Sequence, residues 1–185
     1  LKRGGGIIKV IFLDVDGELT YSGYRNELTN GIDPKKVSLL KKIVDATNAI
    51  IVLSSSWKVG FEKETGIKRR FYQVLESVLN DFGLKIFDVT PDIPAQISDD
   101  NPAVEVMTLE DTINIKCVYG TGRGAEVRKW IDDNKPESYV ILDDENHDWS
   151  DYALEKNWIQ PSWFDKNGGL HQEHVDKAIA VLNRL

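Results

Sequence analysis

The chain is 185 residues long, 41% hydrophobic and 29% charged, with a formal net charge of -7 at pH 7 and a pI near 5.0. That size and composition suit one globular domain with a full core, and the acidity disfavours broad binding to extended duplex nucleic acid, which needs a positive surface. No apolar run is long enough to cross a bilayer, and the single cysteine, Cys117, has no partner for an intrachain disulfide and reads as a small buried side chain.

Residues 1–6, LKRGGG, lack a secretory apolar segment and read as a flexible lead-in to a single domain over 7–185, with a reducing, cytoplasmic setting as the default expectation. Residues 7–13 form an almost continuous apolar run, the pattern of a buried strand. It stops at Asp14 and Asp16, and Gly17 lets the chain turn sharply. Two carboxylates at one strand end repel each other unless a proton or cation mediates between them. A polar loop or small hairpin, YSGYRNELTNGI, follows. Asp33 then stands as a helix cap with Pro34 at the first helical position, and Val37, Leu40, Ile43 and Val44 recur at helical spacing. AIIVLSSSW reads as a second buried strand, again ending in polar residues, Ser54, Ser55 and Ser56. Strand, helix, strand in this order begins a parallel α/β sheet.

RRFYQVLESVLNDFG is an amphipathic helix through Phe71, Val74, Leu75, Val78 and Leu79, closing near Gly83. LKIFDVT is a short strand stopped by PDIP. Residues 95–103 read as loop, while VEVMTL and INIKCVYG read as two strands of a hairpin. AEVRKWIDD is a helix after a glycine-rich turn. SYVILDDENHD repeats the opening design of an apolar strand with an acidic tip, and EHVDKAIAVLNRL is an amphipathic helix with Val175, Ile179 and Leu182 on one side. These elements describe an α/β fold, a three-layer Rossmann-like parallel sheet with helices on both faces, with room for a small β-hairpin insertion and none for a large cap. Trp57, Trp130, Trp149, Trp158 and Trp163 are scattered over different elements and read as packing or loop anchors. His147, His171 and His174 are too dispersed for a zinc site.

Ligands of an open parallel sheet bind beyond the carboxyl ends of its strands. If the strands ending at Asp14 and Asp16, at Ser54 and at Asp143 and Asp144 are neighbours, carboxylates and a hydroxyl face one cavity. An all-oxygen set of this kind suits Mg²⁺ beside a phosphate, and a carboxylate there is able to attack phosphorus.

FLDVDGELT resembles the first motif of the haloacid dehalogenase-like (HAD) hydrolases of phosphatase type: aspartate, any residue, aspartate, glycine, then a hydroxyl residue. The resemblance assigns the nucleophile to Asp14, the general acid and base to Asp16, and the motif hydroxyl to Thr20. Glu18 stands where small apolar residues are usual, a departure expected to affect the loop more than the chemistry. IIVLSSSW resembles the second motif and puts the phosphate-binding hydroxyl on Ser54, with Ser55 in support. The third motif is a basic residue at the start of the helix leading into the acidic strand. Arg123 fits it by position, whereas Lys129 lies further along that helix. VILDDENHD resembles the fourth motif. It implies Asp144 as a cation ligand ahead of Asp143, together with Asp14 and the Asp16 main-chain carbonyl, and Asp148 as the supporting acid.

The family likeness implies an enzyme, a capless or minimally capped phosphatase that hydrolyses phosphomonoesters with Mg²⁺ through an aspartyl phosphate. The open cleft it implies would admit a phosphorylated small molecule or a phosphorylated macromolecule end. Open, capless relatives include phosphatases of nucleic-acid ends and of phosphoproteins, and Lys68, Arg69 and Arg70 form a local basic patch that also reads as a solvated helix start. A non-catalytic binding module that keeps the fold, or phosphoryl transfer to an alcohol instead of water, are the alternatives.

Overall fold

The computed structural model describes residues 8–93 and 122–184. The expectations for Cys117 and for a hairpin drawn from VEVMTL and INIKCVYG lie outside the described residues, as does the lead-in. In chain order the elements are β1 (Lys9–Leu13), α1 (Pro34–Thr47), β2 (Ile50–Leu53), β3 (Phe61–Glu62), β4 (Ile67–Lys68) and α2 (Arg70–Asp81). They continue with β5 (Ile86–Val89), α3 (Arg123–Asn134), β6 (Ser138–Leu142), β7 (Trp158–Ile159) and α4 (Gln172–Leu182).

The apolar runs become neighbouring strands. Among the described residues, β5-β2-β1-β6-β7 form one sheet in that order, and every pairing in it is parallel. β1 sits at the centre because both of its faces are covered. Ile11 and Leu13 pack on one side with α1, α2 and α4, through residues such as Leu40, Leu75 and Val175. Val10 and Phe12 pack on the other with Val127, Trp130 and Ile131 of α3. Phe12 meets the Trp130 ring edge-on at 5.4 Å between centroids, a favoured aromatic geometry. The result is the three-layer α/β architecture, with no large cap among the described residues.

Local rules account for the helix that follows the first turn. Asp33 is the cap of α1, accepting the Lys35 N–H at 2.9 Å, and Pro34 opens the helix. Two features were not legible beforehand. β7 and the β3–β4 hairpin have two residues per strand, too short for any alternation to show. The hairpin also alters the basic patch. Lys68 pairs with Glu76 at 2.7 Å and lies over the Phe61 ring, so part of that charge is neutralised. No helix among the described residues is long and apolar enough to cross a membrane.

Candidate active site

The parallel ladder runs one residue past the strand ends. The N–H groups of Asp143, Asp14, Ser54 and Thr90 donate to the last carbonyls of the adjacent strands, those of Ile159, Leu142, Leu13 and Leu53, at 3.3, 2.9, 2.8 and 3.0 Å. Four residues are thereby pinned side by side along one edge of the sheet. Beyond Asp14 the chain folds back at once: the Gly17 N–H bonds the Thr20 carbonyl, and the Leu19 and Thr20 N–H groups both bond that of Val15. Gly17 has φ +92°, and a Cβ there would stand 2.2 Å from Cγ of Asp144. Glycine is what allows the Asp144 carboxyl to lie over this turn.

Arg123 is the first residue of α3. Its Nη1 lies 2.8 Å from Asp143 Oδ2 and 3.2 Å from Asp14 Oδ1. Burial works against the guanidinium charge, but the two carboxylates override it and hold the arginine above its ordinary pKa. The helix start is itself fixed: Asp148 Oδ1 accepts the Gly124 N–H at 2.7 Å, and a Cβ at 124 would approach that same carboxylate to 2.9 Å. Lys129, further along, is exposed and pairs with Asp133.

The adjacent acids Asp143 and Asp144 have different surroundings. Asp143 is buried, with Oδ2 on Arg123 and Oδ1 accepting the Glu145 N–H at 3.0 Å, so both of its oxygens are engaged by this chain. Asp144 is half-buried, and its main-chain carbonyl accepts from Gln160 Nε2 at 2.8 Å. The Trp158 indole holds the Asp143 carbonyl in the same way, at 2.7 Å.

Asp16 is held from two sides. Thr20 Oγ1 donates to its Oδ1 at 2.8 Å, and the Trp57 indole N–H donates to its Oδ2 at 2.9 Å. The sequence reads Trp57 as a packing or loop anchor, and its nearness to the serine run is the one signal there of a place at the site. Ser54 is buried, and its Oγ has no partner. The neighbouring Ser55 accepts the Trp57 N–H and hydrogen-bonds to Asp14. To one side, Lys58 Nζ reaches Glu126 at 2.6 Å, the Pro91 carbonyl and Thr90 Oγ1 at 3.3 Å, and Asp92 at 3.0 Å.

Glu18 departs from its expected role as a loop residue. The side chain is wholly buried, neither carboxylate oxygen has a hydrogen-bond partner, and it joins Asp14 and Asp144 in a cluster whose ligand atoms lie within 4.8 Å of one another. Burial is the main cause that pushes Asp14 up to about 8; Asp143 and Asp16 add to it, against the opposing pull of Arg123 and Ser55. Burial, with Asp14, Asp143 and Asp144, raises Glu18 well above the usual carboxylate range, and burial with Asp143 brings Asp144 to about 6. One arginine is too little positive charge for this group of acids. The donor set, carboxylate oxygens alone, fits a hard divalent cation such as Mg²⁺, which takes oxygen ligands.

Residues 10–175 match the model of a family described as the HAD domain in Swiss Army Knife RNA repair proteins. No curated protein matches the chain. The chain belongs to that family, within the HAD hydrolases.

Proposed function

We propose that this HAD-family chain hydrolyses a phosphomonoester at the end of an RNA strand, through an aspartyl phosphate on Asp14. The reading is carried by one observation, the meeting of Asp14, the unpartnered Ser54 hydroxyl and the Arg123 guanidinium at a single sheet edge. A phosphoryl group offers acceptors to both donors and an electrophile to the carboxylate.

In the first step an Asp14 oxygen bonds to phosphorus while the bond from phosphorus to the leaving oxygen breaks, and Asp16 gives that oxygen a proton. In the second, water bonds to phosphorus and loses a proton to Asp16, and the bond to Asp14 breaks. Both carboxyl groups are restored and inorganic phosphate leaves. Thr20 and Trp57 fix the direction in which Asp16 faces, while Ser54 and Arg123 grip the phosphoryl oxygens. Asp144, Asp14 and the Asp16 main-chain carbonyl would hold Mg²⁺, with Asp143 and Asp148 stationing Arg123. The bound ion supplies positive charge that lets a carboxylate and a phosphate approach each other.

Two features favour an RNA end over a small metabolite. The family description names RNA repair proteins. A shallow depression of about 440 Å³ is lined by Asn30, Ser56, Val59, Phe71 and Trp57, the last being the residue whose indole holds Asp16. Its aromatic wall suits the face of a terminal base. The acidic chain and the pairing of Lys68 with Glu76 disfavour a long duplex.

Phosphate release from RNA oligonucleotides carrying a 5′- or a 3′-terminal monophosphate, measured beside sugar phosphates, tests the reading. We expect release from an RNA end that stops when EDTA removes divalent ions. Preference for sugar phosphates would refute the RNA-end assignment, and silence on every substrate with Mg²⁺ would favour a binding module.

Trp57→Phe keeps an aromatic ring but removes the donor to Asp16. With Asp16 no longer held in direction, kcat should fall roughly 10-fold or more, and the melting temperature should fall by a few degrees, since a hydrogen bond to a charged group contributes about 1.5–3 kcal/mol to stability. An unchanged kcat would remove Trp57 from the machinery that orients Asp16.

A further inference from the structure

Glu18 cannot escape its surroundings. Its main-chain carbonyl accepts the Leu170 N–H at 2.9 Å, and the residues after it are tied to the Val15 carbonyl. The buried Lys36 is turned away, its Nζ donating to the Leu170 carbonyl at 2.9 Å. Arg123 is committed to Asp14 and Asp143. Among the described residues, therefore, no hydrogen-bond donor reaches either Glu18 oxygen. A buried carboxyl without partners is costly in either protonation state, because the neutral acid leaves its hydroxyl and its carbonyl unmatched as surely as the anion leaves its charge. A cation among Asp14, Glu18 and Asp144 satisfies all three at once.

We infer that Glu18 is a direct ligand of the divalent cation, so that three carboxylates hold the metal and it is resident before any phosphate arrives. The inference rests on the cation site of the proposed function and extends it. Affinity of oxygen sites for divalent ions rises with the number of charged ligands. A site with two carboxylates leans on a substrate oxygen to complete its grip; a third makes the free protein a metal binder in its own right. The buried side chain of the turn after Gly17 is thereby a determinant of cation affinity.

The test is Mn²⁺ binding by the full chain without phosphate, followed through the electron paramagnetic resonance signal of the free ion. Glu18→Gln should raise the Kd about tenfold or more, with Glu18→Asp falling between it and the parent protein. The melting temperature of Glu18→Gln in EDTA should not drop below that of the parent, since the substitution removes an ionisable group from the interior. A Kd unchanged by Glu18→Gln but raised by Asp144→Asn overturns the inference and leaves the cation reading standing. A parent protein that binds no Mn²⁺ overturns both. Electron–nuclear double resonance on the parent, loaded with Mn²⁺ and labelled with ¹³C at its glutamate carboxyls, reads the same contact without any substitution. A strong glutamate coupling supports direct ligation, and its absence refutes it.

Discussion

Asp14→Asn is expected to lower phosphate release by roughly a thousandfold or more, the scale on which removal of a nucleophile is felt. The amide keeps the size and planarity of the carboxyl, so the sheet edge and the Arg123 contact should change little, but it cannot form the acyl phosphate. Two further readings belong to the same experiment. The variant should fold with a melting temperature in EDTA equal to or above that of the parent, because the residue it replaces is a buried acid whose pKa burial pushes up to about 8. The parent, quenched during turnover of a ³²P-labelled substrate, should carry label that hydroxylamine removes, as an acyl phosphate does, and the variant should carry none. Full activity in Asp14→Asn would dispose of the covalent route.

Asp16→Asn should cost about 10²- to 10⁴-fold, the usual worth of a positioned general acid and base. Its signature lies in the dependence on the leaving group. A nitrophenyl ester departs without help, so its first step should be nearly spared, whereas a ribose hydroxyl needs the proton and should be most impaired. Burst kinetics separate the two steps: with the nitrophenyl ester, the variant should release one equivalent of nitrophenol quickly and then stall as the acyl phosphate waits for an activated water. An equal loss on good and poor leaving groups, without a burst, would argue that Asp16 acts on the shape of the loop and not on protons. Thr20 and Trp57 both donate to its carboxylate, so the asparagine NH₂ has to face one of them, and a gross reorientation would register as a lowered melting temperature.

The strand tips were readable because a strand buried on both faces is a nearly unbroken apolar run, and it ends where the chain meets water or charge. Lys9–Leu13, Ile50–Leu53 and Ser138–Leu142 all obey that rule, and the order of connections then leaves few topologies to choose from. Arg123 could be singled out because a helix start next to a strand end is a fixed place in such a fold. The direction in which a side chain leaves an irregular turn was not readable. Glu18 points inward because main-chain bonds on both sides of it set the turn, and Trp57 reaches Asp16 because of the tight turn at Ser56–Gly60. Neither leaves a periodic trace. Asp143 and Asp144 are equivalent in composition, and only the pleat, which sends successive side chains apart, separates the partner of Arg123 from the acid over Gly17.

Lys58 has a bearing on how the protein is able to change. Its ammonium gathers Thr90, Pro91 and Asp92, where the chain departs after β5, and Glu126, just after the chain has come back into α3. Departure and return are fastened at one clasp. A substitution of Lys58 would therefore loosen two things together: the chain just beyond β5 and the first turn of the helix that carries Arg123.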